Sequence, residues 1–150
     1  MYIWRKLNLT QVKSEELKNV SGLQDVFPLS YKYLCCPEYL QKKYEWYYVT
    51  DDQFNDPEER ETWLALICVT EDKYIYGDNL HLSVIEVASP IRGMCVGTRV
   101  INKLMEIALD NNYTTLTLHI KNPDLTSFYE RFGFREVQNL GGMVFHQLDL

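Results

Sequence analysis

The sequence predicts an α/β fold built around a mixed central β-sheet, and three observations carry that expectation. Strand and helix patterns alternate through the second half, 46% of the 150 residues are apolar, and 24% are charged. A chain of this length makes one domain, residues 1–150, whose core needs neither disulfide nor metal to hold it. No apolar run approaches the roughly 18–20 residues that span a bilayer, and Met1–Thr10 carries no signal-peptide hydrophobic region. The net charge of −6 leaves no global basic face for nucleic acid. Four cysteines, Cys35, Cys36, Cys68 and Cys95, form no CxxC pair and share no metal-ligand spacing with the three histidines. The expectation is a soluble, cytoplasmic protein with reduced thiols, no metal, and neither nucleic acid nor membrane as partner.

Along the chain, Met1–Asn8 is β-rich and reads as a first strand. Ser14 with Glu15 and Glu16 opens a short helical pattern, since a serine caps and acids suit the first turn. Pro37 reads as the start of a second helix carrying Tyr39, Leu40, Tyr44 and Tyr47, because proline suits the first helical position. The acidic stretch 51–61 reads as a solvated loop. Trp63–Thr70 is a short apolar run, hence a buried strand, and Lys73–Tyr76 a further one before a Gly77-Asp78-Asn79 turn. Leu80–Ala88 alternates, with Glu86 as the polar intruder on the Leu80, Leu82 and Val84 face. Thr98–Asn111 is amphipathic, burying Val100, Ile101, Leu104, Met105 and Ala108. Thr115–Ile120, Phe134–Val137 and Met143–Leu148 read as strands, and Asp124–Phe132 as a helix stopped by Gly133.

The most informative stretch is Pro90-Ile91-Arg92-Gly93-Met94-Cys95-Val96-Gly97-Thr98, between a strand and an amphipathic helix. Glycines let the backbone turn tightly with its N–H groups unobstructed, and the helix start adds about half a positive charge. Such a turn suits an anion such as a phosphate, with Arg92 and Arg99 adding cationic side chains nearby. A plain structural turn is the competing reading. Neither GxxxxGK[ST] nor GxGxxG occurs, so other nucleotide loops are unsupported.

With that loop placed, residues 80–138 resemble the GNAT family of acyl-CoA-dependent N-acyltransferases. The family signature, [RQ]-x-x-G-x-[GA] between strand and helix, stands here as Arg92-Gly93-Met94-Cys95-Val96-Gly97. Its downstream strand, Asn, and helix ending FY-x-x-x-GF stand as Asn122 and Phe128-Tyr129-Glu130-Arg131-Phe132-Gly133-Phe134. Residues 1–60 match only in element order.

The resemblance implies a GNAT-like mixed sheet flanked by helices, with two splayed central strands. It implies acetyl-CoA as co-substrate, its pyrophosphate on the amides of Met94, Cys95, Val96, Gly97 and Thr98 after Arg92 and Gly93, and its pantetheine arm paired along the strand at Val87. A primary amine, on a small molecule or a peptide, would attack the thioester directly in a ternary complex. Tyr129 stands where the family's phenol protonates the departing sulfur. Asn122 stands where the family holds the pantetheine arm, or it caps the helix that follows. Glu86 ranks ahead of His119 as general base. Substrate choice falls to Phe27–Tyr33, Tyr44–Tyr48 and the Gly141-Gly142 turn, and homodimers are common in the family. Cys95 replaces the middle glycine of the signature. Either the small thiol is tolerated there or the cofactor site is weakened, and the alternative function is a GNAT-fold module that binds CoA or a partner protein without catalysis.

Overall fold

The computed structural model describes residues 2–7, 23–41, 43–51, 63–72 and 78–150. In chain order these hold β1 (Tyr2–Lys6), α1 (Leu23–Val26), α2 (Pro28–Leu34), β2 (Tyr44–Asp51), β3 (Trp63–Asp72) and β4 (Asn79–Val87). There follow α3 (Val96–Asp110), β5 (Thr115–Ile120), α4 (Thr126–Glu130), β6 (Arg135–Leu140) and β7 (Met143–Asp149). The strands form one mixed sheet in the order β1-β2-β3-β4-β5-β7-β6, with helices on its connections. β4 and β5 run parallel, pairing Asn79–Leu82 with Thr115–Leu118. Their pairing stops there although both strands continue, which is the splay the family resemblance implies.

One expectation is corrected. The chain after Pro37 makes only a four-residue 3-10 turn, Pro37–Leu40, and Tyr44 and Tyr47 lie on strand β2. Gln41 takes an extended ψ of 151°, which ends the turn, and the aromatic and β-branched run Tyr44–Thr50 suits a pleated surface instead. β1 supplies the partner, Tyr2 opposite Asp51 through Lys6 opposite Tyr47. The proline that does open a helix is Pro28 at the start of α2. Of the acidic stretch 51–61 expected as a solvated loop, Asp51 instead ends β2 and is buried, while residues 52–61, the Ser14 helix and the Lys73–Tyr76 strand lie outside the described residues.

The chain packs as two units, Met1–Cys68 with Val84–Ile101, and Val69–Ser83 with Asn102–Leu150. In the first, Leu7, Phe27, Leu34, Trp46, Leu66 and Val84 form a core. Half-buried rings pack against it, among them Tyr33 edge-on to Tyr39 at 4.6 Å and Tyr48 stacked on Trp63 at 4.5 Å. In the second, β5 alternates, so Leu116, Leu118 and Ile120 are buried on one face while Thr115, Thr117 and His119 share the other. β7 follows the same register, with Leu148 opposite Leu116 and Phe145 opposite His119. Helix α3 buries Val100, Ile101, Leu104 and Ala108 as one stripe, while Met105, expected with them, is only half-buried. At the sheet's edge, β6 is exposed along its whole length.

Candidate functional site

The candidate residues fall into two groups, one in each unit. In the first unit β4 ends at Val87, and a 3-10 turn, Ser89–Ile91, leads into Arg92. The Ile91 N–H donates to the Ala88 carbonyl at 3.0 Å and the Met94 N–H to the Ile91 carbonyl at 3.3 Å. Two residues then take left-handed conformations, Gly93 with φ +84° and Cys95 with φ +60°. A glycine adopts that region freely, whereas a side chain there is strained by about 1–2 kcal/mol. Cys95 therefore holds a turn that favours glycine, which is the physical content of the signature's glycine. Its thiol is exposed, so the backbone keeps its course and the side chain stays out of the core.

The first bond of α3 runs from the Arg99 N–H to the Cys95 carbonyl at 3.3 Å. The N–H groups of Val96, Gly97 and Thr98 thus precede the helical ladder and point out of its start. Over 15 residues the helix sums to about half a positive charge at that end. Turning backbone, donors before the ladder and a positive helix end together suit an anion such as a phosphate.

Neither expected arginine stands apart from its own chain. The Arg99 guanidinium lies 5.3 Å above the Tyr2 ring. Arg92 donates from Nε to the Val87 carbonyl at 3.3 Å and sits 3.6 Å from the Glu86 carboxylate. Glu86 is only 6% exposed. Its Oε2 accepts the Leu29 N–H at 3.0 Å and its Oε1 the Ser30 N–H at 2.7 Å, so both oxygens serve the first turn of α2. Glu86, Val87 and Arg92 are therefore brought together, with Glu86 facing α2.

In the second unit, Asn122 precedes the 3-10 turn Pro123–Leu125 and its Oδ1 accepts the Asp124 N–H at 3.1 Å. The capping role is present, and Nδ2 is the part of the side chain left for a ligand. Tyr129, on α4, is 7% exposed and edge-on to Phe128 and Phe134, at 5.1 and 5.9 Å. Burial pushes its phenol up to about 12. His119 is half-buried and stacked on Phe145 at 5.4 Å. Burial, and then the charge of Lys121, hold its imidazole below the ordinary 6.5, so it is neutral at pH 7.

One group in this unit is absent from the sequence expectations. On the same face as His119, the Thr115 hydroxyl donates to Asn79 Oδ1 at 2.7 Å, and Asn79 Nδ2 donates to Thr117 Oγ1 at 2.9 Å. Thr117 Oγ1 in turn meets His81 Nδ1 at 2.9 Å. Asn79 and Thr117 are 0% and 1% exposed, so the chain of bonds is shielded from water. When Thr117 donates, His81 carries its proton on Nε2; when Nδ1–H donates, Nε2 is the lone pair. Rotation of the Thr117 hydroxyl lets it face either tautomer, while exchange of the two also moves the ring proton from one nitrogen to the other. The only sequence signal was a polar residue at every second position of each strand, Asn79 and His81, Thr115 and Thr117. The parallel register that joins them is not visible in the sequence.

The aromatic segments expected to choose the substrate pack mainly on the first unit's core, as with Tyr31, Tyr33, Tyr44 and Tyr48. Among the described residues no group of three or more His, Cys, Asp or Glu is placed to hold a metal, and no helix is long and apolar enough to cross a membrane.

Comparison with known proteins gives this geometry a family. No curated protein matches the sequence. A solved GNAT-family protein of Desulfovibrio desulfuricans matches the structure with a TM-score of 0.68 and 16% identity, over 99% of each chain. The KacTA–DNA complex matches with a TM-score of 0.65 and 10% identity, over 99% of this chain and 93% of that one. The NatC complex bound to Gag peptide and CoA matches with a TM-score of 0.62 and 13% identity, over 99% and 98%. At these identities the likeness establishes the fold. The model of the acetyltransferase (GNAT) family matches residues 23–134 of the sequence itself, spanning both the glycine-bearing turn and the Tyr129 helix. The chain belongs to the GNAT family.

Proposed function

We propose that the protein is an N-acetyltransferase that moves the acetyl group of acetyl-CoA onto a primary amine by direct attack in a ternary complex. The observation that carries this reading is the left-handed turn at Gly93 and Cys95, which delivers the Val96, Gly97 and Thr98 amides ahead of the α3 ladder. Arg92, Gly93 and Cys95 complete the cradle, with Met94 serving only as part of the turn because its N–H is bonded to the Ile91 carbonyl. Val87 offers strand backbone to the pantetheine arm, and in the second unit Asn122 has its Nδ2 to offer. The co-substrate supplies an activated thioester.

The protein's own residues handle the protons. The attacking amine must be neutral, so its proton needs an acceptor. Glu86 has both oxygens committed to α2. The imidazoles on the β4–β5 face suit the task better: His81 is oriented by Thr117, and its imidazolium form keeps Nδ1–H on that hydroxyl. We assign the proton to His81, with the neutral His119 as a second acceptor on the same face. Tyr129 stays protonated far above neutrality. Because its value exceeds the roughly 8.5 of a thiol, the phenol contributes a hydrogen bond to the departing sulfur rather than complete loss of its proton.

Calorimetric titration with acetyl-CoA, and with adenosine as a control lacking pyrophosphate, tests the reading. Binding in the micromolar range that adenosine does not show supports it and justifies a screen of amines. Absence of binding at millimolar acetyl-CoA would overturn it.

A further inference from the structure

Two side chains, Ser89 and Glu86, tie the α1–α2 segment to the end of β4 and the loop that follows, and Arg92 bears on the second of them. The Ser89 hydroxyl meets the carbonyls of Asp25 and Val26, each at 3.3 Å. Glu86 holds the N–H groups of Leu29 and Ser30. Arg92 reaches back to Glu86 and to the Val87 carbonyl. The carboxylate is therefore shared unequally. Oε1 serves Ser30 alone, whereas Oε2 divides itself between the Leu29 N–H and the Arg92 guanidinium. The arginine is more than half exposed and the carboxylate nearly wholly buried, so the cation is the member free to move.

We infer that Glu86 is a positioning residue that couples occupancy of the cofactor loop to α2, with Arg92 as the movable link. Phosphate oxygens on the loop compete with Glu86 for one guanidinium, which matches phosphate in a bidentate fork. As Arg92 turns to the phosphates, it leaves the Val87 carbonyl open to the pantetheine arm. Oε2 is then left with a single donor, and its bond to the Leu29 N–H strengthens. Cofactor binding thus firms the start of α2, on the side of the chain where an acceptor is chosen. The inference rests on the proposed function of the loop.

The test is residue-resolved amide exchange by NMR on the full chain, with and without coenzyme A, whose binding is measured in parallel by calorimetry. In the wild type, coenzyme A should slow exchange of the Leu29 amide about threefold or more, with less effect at Ser30, whose acceptor oxygen is unshared. Arg92→Met, a change at an exposed position, should bind coenzyme A more weakly and lose the slowing at saturation, and Arg92→Lys should restore part of it. A merely structural Glu86 would show no such difference between neighbouring amides. Wild-type binding without a change at Leu29, or slowing that survives Arg92→Met, overturns the coupling and leaves the cofactor loop standing. Failure of the wild type to bind coenzyme A overturns both.

Discussion

Replacing Cys95 by glycine isolates the strain in the cofactor loop. Cys95 holds φ +60°, where a side chain is disfavoured by about 1–2 kcal/mol relative to glycine. Against that relief stands the greater freedom of glycine in the unfolded chain, about 0.4–1 kcal/mol. Because the thiol is exposed, no packing is lost. Cys95→Gly should therefore stabilise the protein by about 0.5–1 kcal/mol, which for a chain of this size raises Tm by about 1–4 °C. Cys95→Ala is the matched control: it removes the sulfur but keeps the Cβ, and should show none of the gain. Cys95→Val should melt below both, since a β-branched side chain tolerates this conformation least. Denaturant titration and thermal melts measure the series. Coenzyme A affinity should be equal or tighter in the glycine variant, since backbone amides and not the thiol do the holding. The reasoning is refuted if Cys95→Gly melts no higher than Cys95→Ala, or if it loses cofactor affinity while Cys95→Ala does not.

Tyr129→Phe should lower kcat by about tenfold to a hundredfold, the worth of one hydrogen bond to a charged atom at 1.5–3 kcal/mol, with cofactor affinity unchanged by calorimetry. The same residue sets an alkaline limit. Its phenol is raised from 10 to about 12 in the folded state, so stability falls as pH rises between those values, by about 2–3 kcal/mol, and Tyr129→Phe should remove that fall in denaturant titrations. His119 acts at the other end. Its imidazole is held below 6.5 when folded, so the unfolded chain takes up the proton first and stability drops as pH falls through that range; His119→Gln should flatten the slope. Thr117→Val leaves the buried Asn79 amide without its acceptor and should destabilise by about 1–3 kcal/mol, while lowering kcat through the lost orientation of His81.

Regular periodicity made much of the fold legible. The two-residue alternation of Leu80–Ala88 and the helical stripe of Val100, Ile101, Leu104 and Ala108 appear as β4 and α3, within two residues of the expected ends. Thr115–Ile120 appears with the expected bounds. The start of α2 was missed because Pro28 and Pro37 offer the same local signal, and only the strand partner at β1 decides against a helix after Pro37. Glu86 was conspicuous on an apolar face, but its partners Leu29 and Ser30 lie 57 and 56 positions away, so its engagement with α2 could not be read locally. His81 was hidden for the same reason: Thr117, which orients it, is 36 positions distant. Cys95 was marked only by a motif written with glycine, and the reason for that glycine is a backbone angle.

The exposed edge strand β6 has a kinetic consequence. It borders β7 alone, has no buried residue along its length, and its ladder is interrupted between Glu136 and Gln138. Detaching it breaks a single row of hydrogen bonds and uncovers little apolar surface, while β7 keeps its full pairing with β5. β6 is thus a segment that opens many times for each global unfolding of the chain. Among the described residues, Arg135–Leu140 is an edge open to a strand seeking a partner, and Arg135, Glu136 and the irregularity beside Val137 discourage a foreign strand from docking there.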